Sequence, residues 1–317
     1  MEKKVYFLYS GQGSQYFGMC KNYYNLDNEF ASHMRYLDDI VIAQTGYSII
    51  NYMYRDDHRY SDIFDDIEYT HLAICMVEYS MTKSLISKGI IPDALIGCSL
   101  GEYVCMAVSG QIAIEELILF LIDQAKFIKN KFPAGGMLTI LDNASNYTEE
   151  FFDNYHIDIA SINYDKHFIV SGNLNDIYNV KNIFKQKEIE VFDLPVKYGF
   201  HSRSMDKIKD VFLENLHLPD FYSAGIPLIS SSQSAIVNEY DKTMLWEVIR
   251  NRINFRDALL NYCTNENIVL IDVGPSGTLA GFSKNILNRK EGIFSIITPF
   301  HTEVNNIKKI AQWLNDN

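Results

Sequence analysis

A chain of 317 residues that is 47% apolar can bury a substantial core, which excludes a disordered protein and leaves room for one large domain or a large and a small one. A net charge of -12 argues against nucleic acid as a partner, and no apolar stretch reaches the length of a membrane span. Cys20, Cys75, Cys98, Cys105 and Cys263 form no CxxC pair, so neither a disulfide framework nor a metal site is expected, and the first apolar run is too short for a signal peptide, which makes a soluble, cytoplasmic chain the expectation.

Residues 4–10, KVYFLYS, read as a buried strand running straight into Gly11-Gln12-Gly13-Ser14-Gln15. That turn lacks the lysine and the spacing of a phosphate-binding P-loop. It either brings a backbone amide to a reaction centre or is a plain strand-to-helix turn. From Asn22 to about Asp66 the pattern is mixed helical and polar, with Arg55-Asp56-Asp57-His58-Arg59 as a solvated loop. Residues 68–88 carry apolar side chains at helical spacing, with His71 near the start.

The stretch 93–110, DALIGCSLGEYVCMAVSG, organises the rest of the chain. An apolar run, the turn Gly97-Cys98-Ser99-Leu100-Gly101 and an amphipathic segment read as strand, sharp bend and helix, the context of a nucleophile elbow. The serine must stand on the bend to expose its oxygen, and the flanking glycines remove side chains that would block the close strand-to-helix crossing. The helix that follows points its amino-terminal amides at the same spot, which favours a developing oxyanion. Residues 114–129 form another helix, which contains Gln124.

From Gly135 the segments MLTILDN, TEEFFDNY, IDIASINY, HFIVSGN, DIYNVKNIFKQ and IEVFDLPV read as βαββαβ, the split pattern of a ferredoxin-like fold. The pattern predicts a small domain, 132–195, inserted into a larger α/β domain of 1–131 and 196–317, with a cleft between the two bodies. His201 follows at once in KYGFHSRSM and is either a loop residue or a catalyst. Residues 267–273 form a strand that runs into Gly274-Pro275-Ser276-Gly277 and a helix, and an amphipathic helix, 303–317, ends the sequence.

In this order GQGSQ, GCSLGE, the SINY segment with Asn163, the FHS around His201 and VGPSG resemble the malonyl-CoA:acyl-carrier-protein transacylase family, including the acyltransferase domains of polyketide synthases. The resemblance covers nearly the whole chain. It implies an α/β fold, with an α/β-hydrolase-like parallel-sheet large domain and a ferredoxin-like insert. It implies Ser99 as nucleophile, His201 as base, the amides of Gln12 and Leu100 as oxyanion donors, and a backbone carbonyl at Asn251 that orients the histidine. Gln124, Cys98, His71, Phe200 and Asn163 fall in its acyl pocket. Neither metal nor redox cofactor is implied, since the phosphopantetheine or CoA arm belongs to the substrate.

The departures from the family pattern carry information. Cys98 stands where histidine is common and His71 where glutamine is usual. Gln124 stands where malonyl-using members have an arginine that forks onto the free carboxylate of the substrate. Burying that carboxylate without its partner costs roughly 3–5 kcal/mol, so malonyl selectivity is expected to fall by about a hundredfold or more. On these grounds the chain is most similar to the trans-acting acyl hydrolases of polyketide assembly lines, which release non-malonyl acyl groups from acyl carrier protein as proofreading. The alternatives are a malonyl-CoA:acyl-carrier-protein transacylase and a non-catalytic carrier-docking subunit, the last disfavoured by the presence of both Ser99 and His201. An acidic carrier would meet local bases, for which Lys126, Lys129, Lys131, Lys197 and Arg203 are the candidates, and a monomer is expected.

Overall fold

The first strand, β1 (Lys4–Tyr9), buries Phe7, Leu8 and Tyr9 in succession, the pattern of a strand covered on both faces. The computed structural model describes residues 3–316 and continues from β1 into α1 (Lys21–Leu26), α2 (Asn28–Thr45), α3 (Ile49–Met53) and the long, buried α4 (Ile67–Ser87). The elbow strand β2 (Ala94–Gly97) follows, with α5 (Leu100–Ser109) and α6 (Ile114–Lys131). Next come β3 (Gly135–Ile140), α7 (Glu149–Asn154), β4 (Ile157–Tyr164), β5 (His167–Asn173), α8 (Leu174–Gln186) and β6 (Val191–Asp193). The remainder comprises α9 (Lys209–Asn215), β7 (Leu228–Ser230), β8 (Ala235–Val237), α10 (Lys242–Arg250), α11 (Phe255–Tyr262), β9 (Ile268–Asp272), α12 (Thr278–Ile286), β10 (Ile293–Ser295) and α13 (Glu303–Asp316).

The large sheet has the order β10-β9-β1-β2-β7-β8. All its pairings are parallel except β7 with β8, a hairpin that adds one antiparallel edge strand to the expected parallel sheet. Because β1 and β2 are neighbours in register, with Tyr9 opposite Gly97, the glycine-rich loop after β1 and the elbow after β2 leave the sheet side by side. That adjacency at the carboxyl ends of parallel strands is where α/β sheets build their sites. Apolar side chains fill both faces, α4, α5 and α6 packing on one and α11 and α12 on the other.

The segment 135–193 forms a second sheet of order β4-β5-β3-β6, antiparallel throughout, with its own core of Leu138, Phe152, Phe168 and Phe184. Its topology is the βαββαβ arrangement expected from the sequence. It is tied to the larger body beside the site by the Ile253 amide, which donates to the Ala160 carbonyl at 2.8 Å. The mixed pattern of 22–66 resolves into α1 to α3, and residues 206–266, where the sequence pattern assigns no element, form α9 to α11 and the β7–β8 hairpin. The carboxyl-terminal helix is present to Asp316, and Asn317 lies outside the described residues. The five cysteines are unpaired, four of them buried and Cys98 half-buried. Among the described residues no helix is long and apolar enough to cross a membrane, and no group of three or more histidine, cysteine or acidic side chains is placed to hold a metal.

Candidate active site

Ser99 occupies the bend between β2 and α5 with φ 54 and ψ -123, a backbone conformation that an L-residue adopts only when its surroundings impose it. The glycines on either side make this possible. A Cβ on Gly97 would lie 2.4 Å from Cα of Glu102, and one on Gly101 would lie 2.2 Å from the Tyr9 carbonyl oxygen. Gly11 brings the neighbouring loop equally close, since a Cβ there would stand 2.9 Å from the Cys98 oxygen and 3.0 Å from Ser99 Cβ.

His201 reaches Ser99 from the opposite side of the cleft, its Nε2 lying 2.9 Å from Ser99 Oγ. Its Nδ1 lies 2.7 Å from the Asn251 carbonyl oxygen. A carbonyl can only accept, so Nδ1 carries the ring proton and Nε2 presents its lone pair to the serine hydroxyl. The His201 amide also donates to the Ile249 carbonyl at 2.9 Å, which fixes the backbone at its positive φ of 59. Burial lowers the imidazole pKa to about 4, opposed by the Asn251 bond and assisted by nearby Arg250. The ring is therefore neutral at physiological pH.

The serine and histidine open onto a cavity of about 350 Å³ walled by the loops that follow β1 and β2, by strands of the small sheet and by α12. Among the described residues no lysine, arginine, aspartate or glutamate lines it. Its three histidines, His71, His167 and His201, all have pKa values lowered by burial, His71 to about 3. The rest of the wall is mainly apolar, with Leu100, Met137, Ile169, Leu194 and Phe282 prominent. The amides of Gln12 and Leu100 take part in no hydrogen bond among the described residues, and both residues line this cavity beside Ser99.

Cys98, His71, Phe200 and Asn163 line the cavity. The burial that lowers the basicity of His71 is opposed in part by the Gln124 amide, and its Nε2 bonds the side chain of Gln12 at 3.3 Å. Asn163 accepts from Ser161 Oγ at 2.7 Å and faces His167 Nδ1 at 2.9 Å. Gln124 corrects the expectation, because it is fully buried and does not line the cavity. It lies a layer back, where its Nε2 donates to the Tyr103 hydroxyl at 3.0 Å. Helix α6 contributes no residue to the cavity lining, and His71 of α4 forms the wall instead.

The nominated surface bases divide into two groups. Lys129 pairs with Asp66 and Glu68, Lys197 with Asp65, and Arg203 with Asp153 and Asp158. Lys126 and Lys131 are exposed on α6 with no ion pair among the described residues. The sequence reading missed His167, Met137 and Ile169, which come from strands whose inward faces only the small sheet's packing defines, and Leu194 after β6 and Phe282 on α12. It also missed the buried acids Glu78, Glu102 and Asp272. A charged residue inside the apolar run LAICMVEYSM was the available signal for the first of these.

The chain matches the family described as "Acyl transferase domain" over residues 6–307. It is 36% identical over 312 residues to the polyketide biosynthesis acyltransferase homolog BaeD of Bacillus velezensis, covering 98% of this chain and 96% of the relative. Its identity to the polyketide biosynthesis acyltransferase homolog PksD of Bacillus subtilis is 37% over 314 residues, again covering 98% and 96%. Its fold is that of MCAT from Streptococcus pneumoniae, with a TM-score of 0.80 at 20% identity over 96% of this chain and 100% of the other. By fold, by the matched domain and by full-length relatives, the chain belongs to the acyltransferase-domain family.

Proposed function

We propose that this protein is a serine acyl-enzyme catalyst that takes non-malonyl acyl groups from acyl carrier protein thioesters and releases them to water, as proofreading in polyketide biosynthesis. The observation that carries the reading is a neutral, largely apolar cavity opening onto Ser99 Oγ, which stands 2.9 Å from an imidazole nitrogen free to accept its proton. Ser99 Oγ attacks the thioester carbonyl carbon as its proton passes to His201 Nε2. The negative charge on the carbonyl oxygen is met by the amides of Gln12 and Leu100 and by the amino-terminal end of α5. Collapse of the tetrahedral adduct breaks the carbon–sulfur bond, and His201 returns its proton to the departing pantetheine thiolate. Water then gives a proton to His201 and its oxygen to the acyl carbon, and the second collapse frees the acid and restores Ser99.

The absence of a cation from the cavity wall argues for neutral acyl groups, because a malonyl carboxylate entering it would lose water without gaining a partner. The reaction needs no metal or redox cofactor, and the pantetheine arm arrives with the substrate. Lys126 and Lys131 are the nominated bases best suited to an acidic carrier, since the other three already have acidic partners. A second reading, transfer of the acyl group to a carrier thiol, is favoured by the word acyltransferase in the names of the full-length relatives.

Mass spectrometry of the protein offered malonyl-, acetyl- and butyryl-carrier thioesters separates the readings. The hydrolase reading expects an acyl adduct on Ser99 and free carrier from acetyl and butyryl substrates, with malonyl untouched. A malonyl adduct that persists and moves to a fresh carrier would overturn it in favour of transfer. Carrier binding by a Ser99→Ala variant with no reaction lost would leave only a docking role.

A further inference from the structure

Two features of the sequence have no place in the acyl-transfer chemistry itself: the VGPSG turn after β9 and an acid, Glu78, in the middle of the most apolar helix. They meet behind the active site. Glu78 is fully buried on α4, and its Oε1 accepts from the Ser10 amide at 2.7 Å while lying 2.8 Å from Ser10 Oγ. Ser10 Oγ is 2.9 Å from Ser14 Oγ, and Ser14 Oγ donates to the Gly11 carbonyl oxygen at 2.9 Å. Gly274 closes the far side, where a Cβ would fall 2.2 Å from Ser10 Oγ and 2.8 Å from Glu78 Oε1.

Counting protons fixes the direction of this chain. Ser10 has one hydroxyl proton and two oxygen neighbours, Glu78 Oε1 and Ser14 Oγ. Ser14 spends its own proton on the Gly11 carbonyl, so the Ser10–Ser14 contact needs the proton of Ser10. The contact between Ser10 and Glu78 must then be bridged by a proton from the acid. A neutral Glu78 gives an unbroken series, acid to Ser10 to Ser14 to carbonyl, whereas an ionised one captures the Ser10 proton and leaves two serine oxygens facing each other. The surroundings agree. The titratable neighbours that act on Glu78 or feel its charge are Asp272, Tyr9, Cys75, Cys98 and Cys105, all of them acids, and Oε2 has no hydrogen-bond partner. Burial and Asp272 both favour the neutral form, the Ser10 bonds opposing them.

The end of the series is the mechanistic point. The Gly11 carbonyl and the Gln12 amide belong to one peptide plane, and in a trans peptide they point in opposite directions. Holding the carbonyl with Ser14 therefore fixes the Gln12 N–H in the opposite direction, and Gln12 lines the cavity together with Ser99. The geometry points to Glu78 as a positioning residue that keeps its proton and, through Ser10 and Ser14, aims the Gln12 amide at the oxyanion. The inference rests on the acyl-enzyme reading given above, in which that amide is a donor.

The test measures the rate of acyl-Ser99 formation from an acetyl thioester, at saturation and as a function of substrate, in the full chain. Ser14→Ala is expected to slow acylation about tenfold, a part of the roughly 10²–10³ that losing an oxyanion donor costs, with KM within about twofold. Glu78→Leu is expected to do the same. The double variant is expected to lose no more than either single one, because both cut the same series. Glu78→Gln can offer either a donor to Ser10 Oγ or an acceptor to the Ser10 amide at that position but not both, so its rate is expected to fall between those of Glu78→Leu and the wild type. A folded Ser14→Ala protein with the wild-type rate, or a double variant slowed by the product of the two single effects, overturns the proposal. If Glu78→Leu does not fold, the Ser14→Ala and Glu78→Gln rates decide. Failure of the wild-type protein to form acyl-Ser99 refutes the acyl-enzyme reading and this inference with it, whereas normal acylation with an indifferent Ser14→Ala refutes this inference alone.

Discussion

Installing an arginine at position 124 tests how the cavity selects its acyl group. Gln124 is buried behind His71 and bonded to Tyr103, so the single variant Gln124→Arg places a guanidinium in a closed polar pocket rather than in the cavity. An uncompensated buried charge costs roughly 3–5 kcal/mol, and at about 2–4 °C per kcal/mol the melting temperature should fall by about 10 °C. Malonyl loading should rise less than about tenfold, because the His71 ring still walls off the arginine. Adding His71→Gln removes that ring and retains an amide that can bond Gln12, as His71 Nε2 does at 3.3 Å. The double variant should then offer a bidentate partner to a malonyl carboxylate. Recovering the same roughly 3–5 kcal/mol raises the malonyl-to-acetyl ratio of acylation rates by about a hundredfold or more. The assay is acyl-Ser99 formation from paired malonyl and acetyl thioesters, with thermal melts on each variant. A hundredfold switch in the single variant without loss of stability, or no switch in the double variant, would refute the reasoning that His71 shields position 124.

Three further outcomes follow from the site. In the acyl-enzyme reading acylation needs neutral His201, whose pKa burial lowers to about 4, so the rate constant should stay level from pH 8 to about 5 and halve near pH 4; a limb centred near the ordinary histidine value of about 6.5 would show that the ring is solvated. The same shift affects stability: the unfolded chain binds the proton more readily between about 6.5 and 4, so the stability from burying neutral His201 is lost as pH falls through that window, seen as a falling melting temperature. Gly101→Ala would force a Cβ to within 2.2 Å of the Tyr9 carbonyl, so β1 and the elbow must separate; a loss of about 3 kcal/mol and of Ser99 acylation is expected, and a variant with wild-type melting and activity would contradict the packing.

The local chemistry was legible in the sequence because it depends on neighbours a few residues apart. A serine between two glycines at a strand-to-helix bend can be read from covalent geometry alone, and the overlaps at Gly97 and Gly101 give the reason in distances. The βαββαβ order likewise follows from periodicity and connection rules. The tertiary structure decided what depends on distant parts of the chain coming together. The carbonyl that orients His201 lies 50 residues away, just after α10; the family resemblance points to Asn251, while nothing in the local pattern around it does. Gln124 has helical spacing compatible with a pocket residue, yet another helix contributes His71 to the cavity wall in its place. Three of the five surface bases find acidic partners, each contributed by another element. Glu78 lies 68 residues from the serine it holds, and its role exists only because α4 packs beneath the loop after β1. Periodicity tells a residue which face it shares, but only the packing of whole elements decides what that face meets.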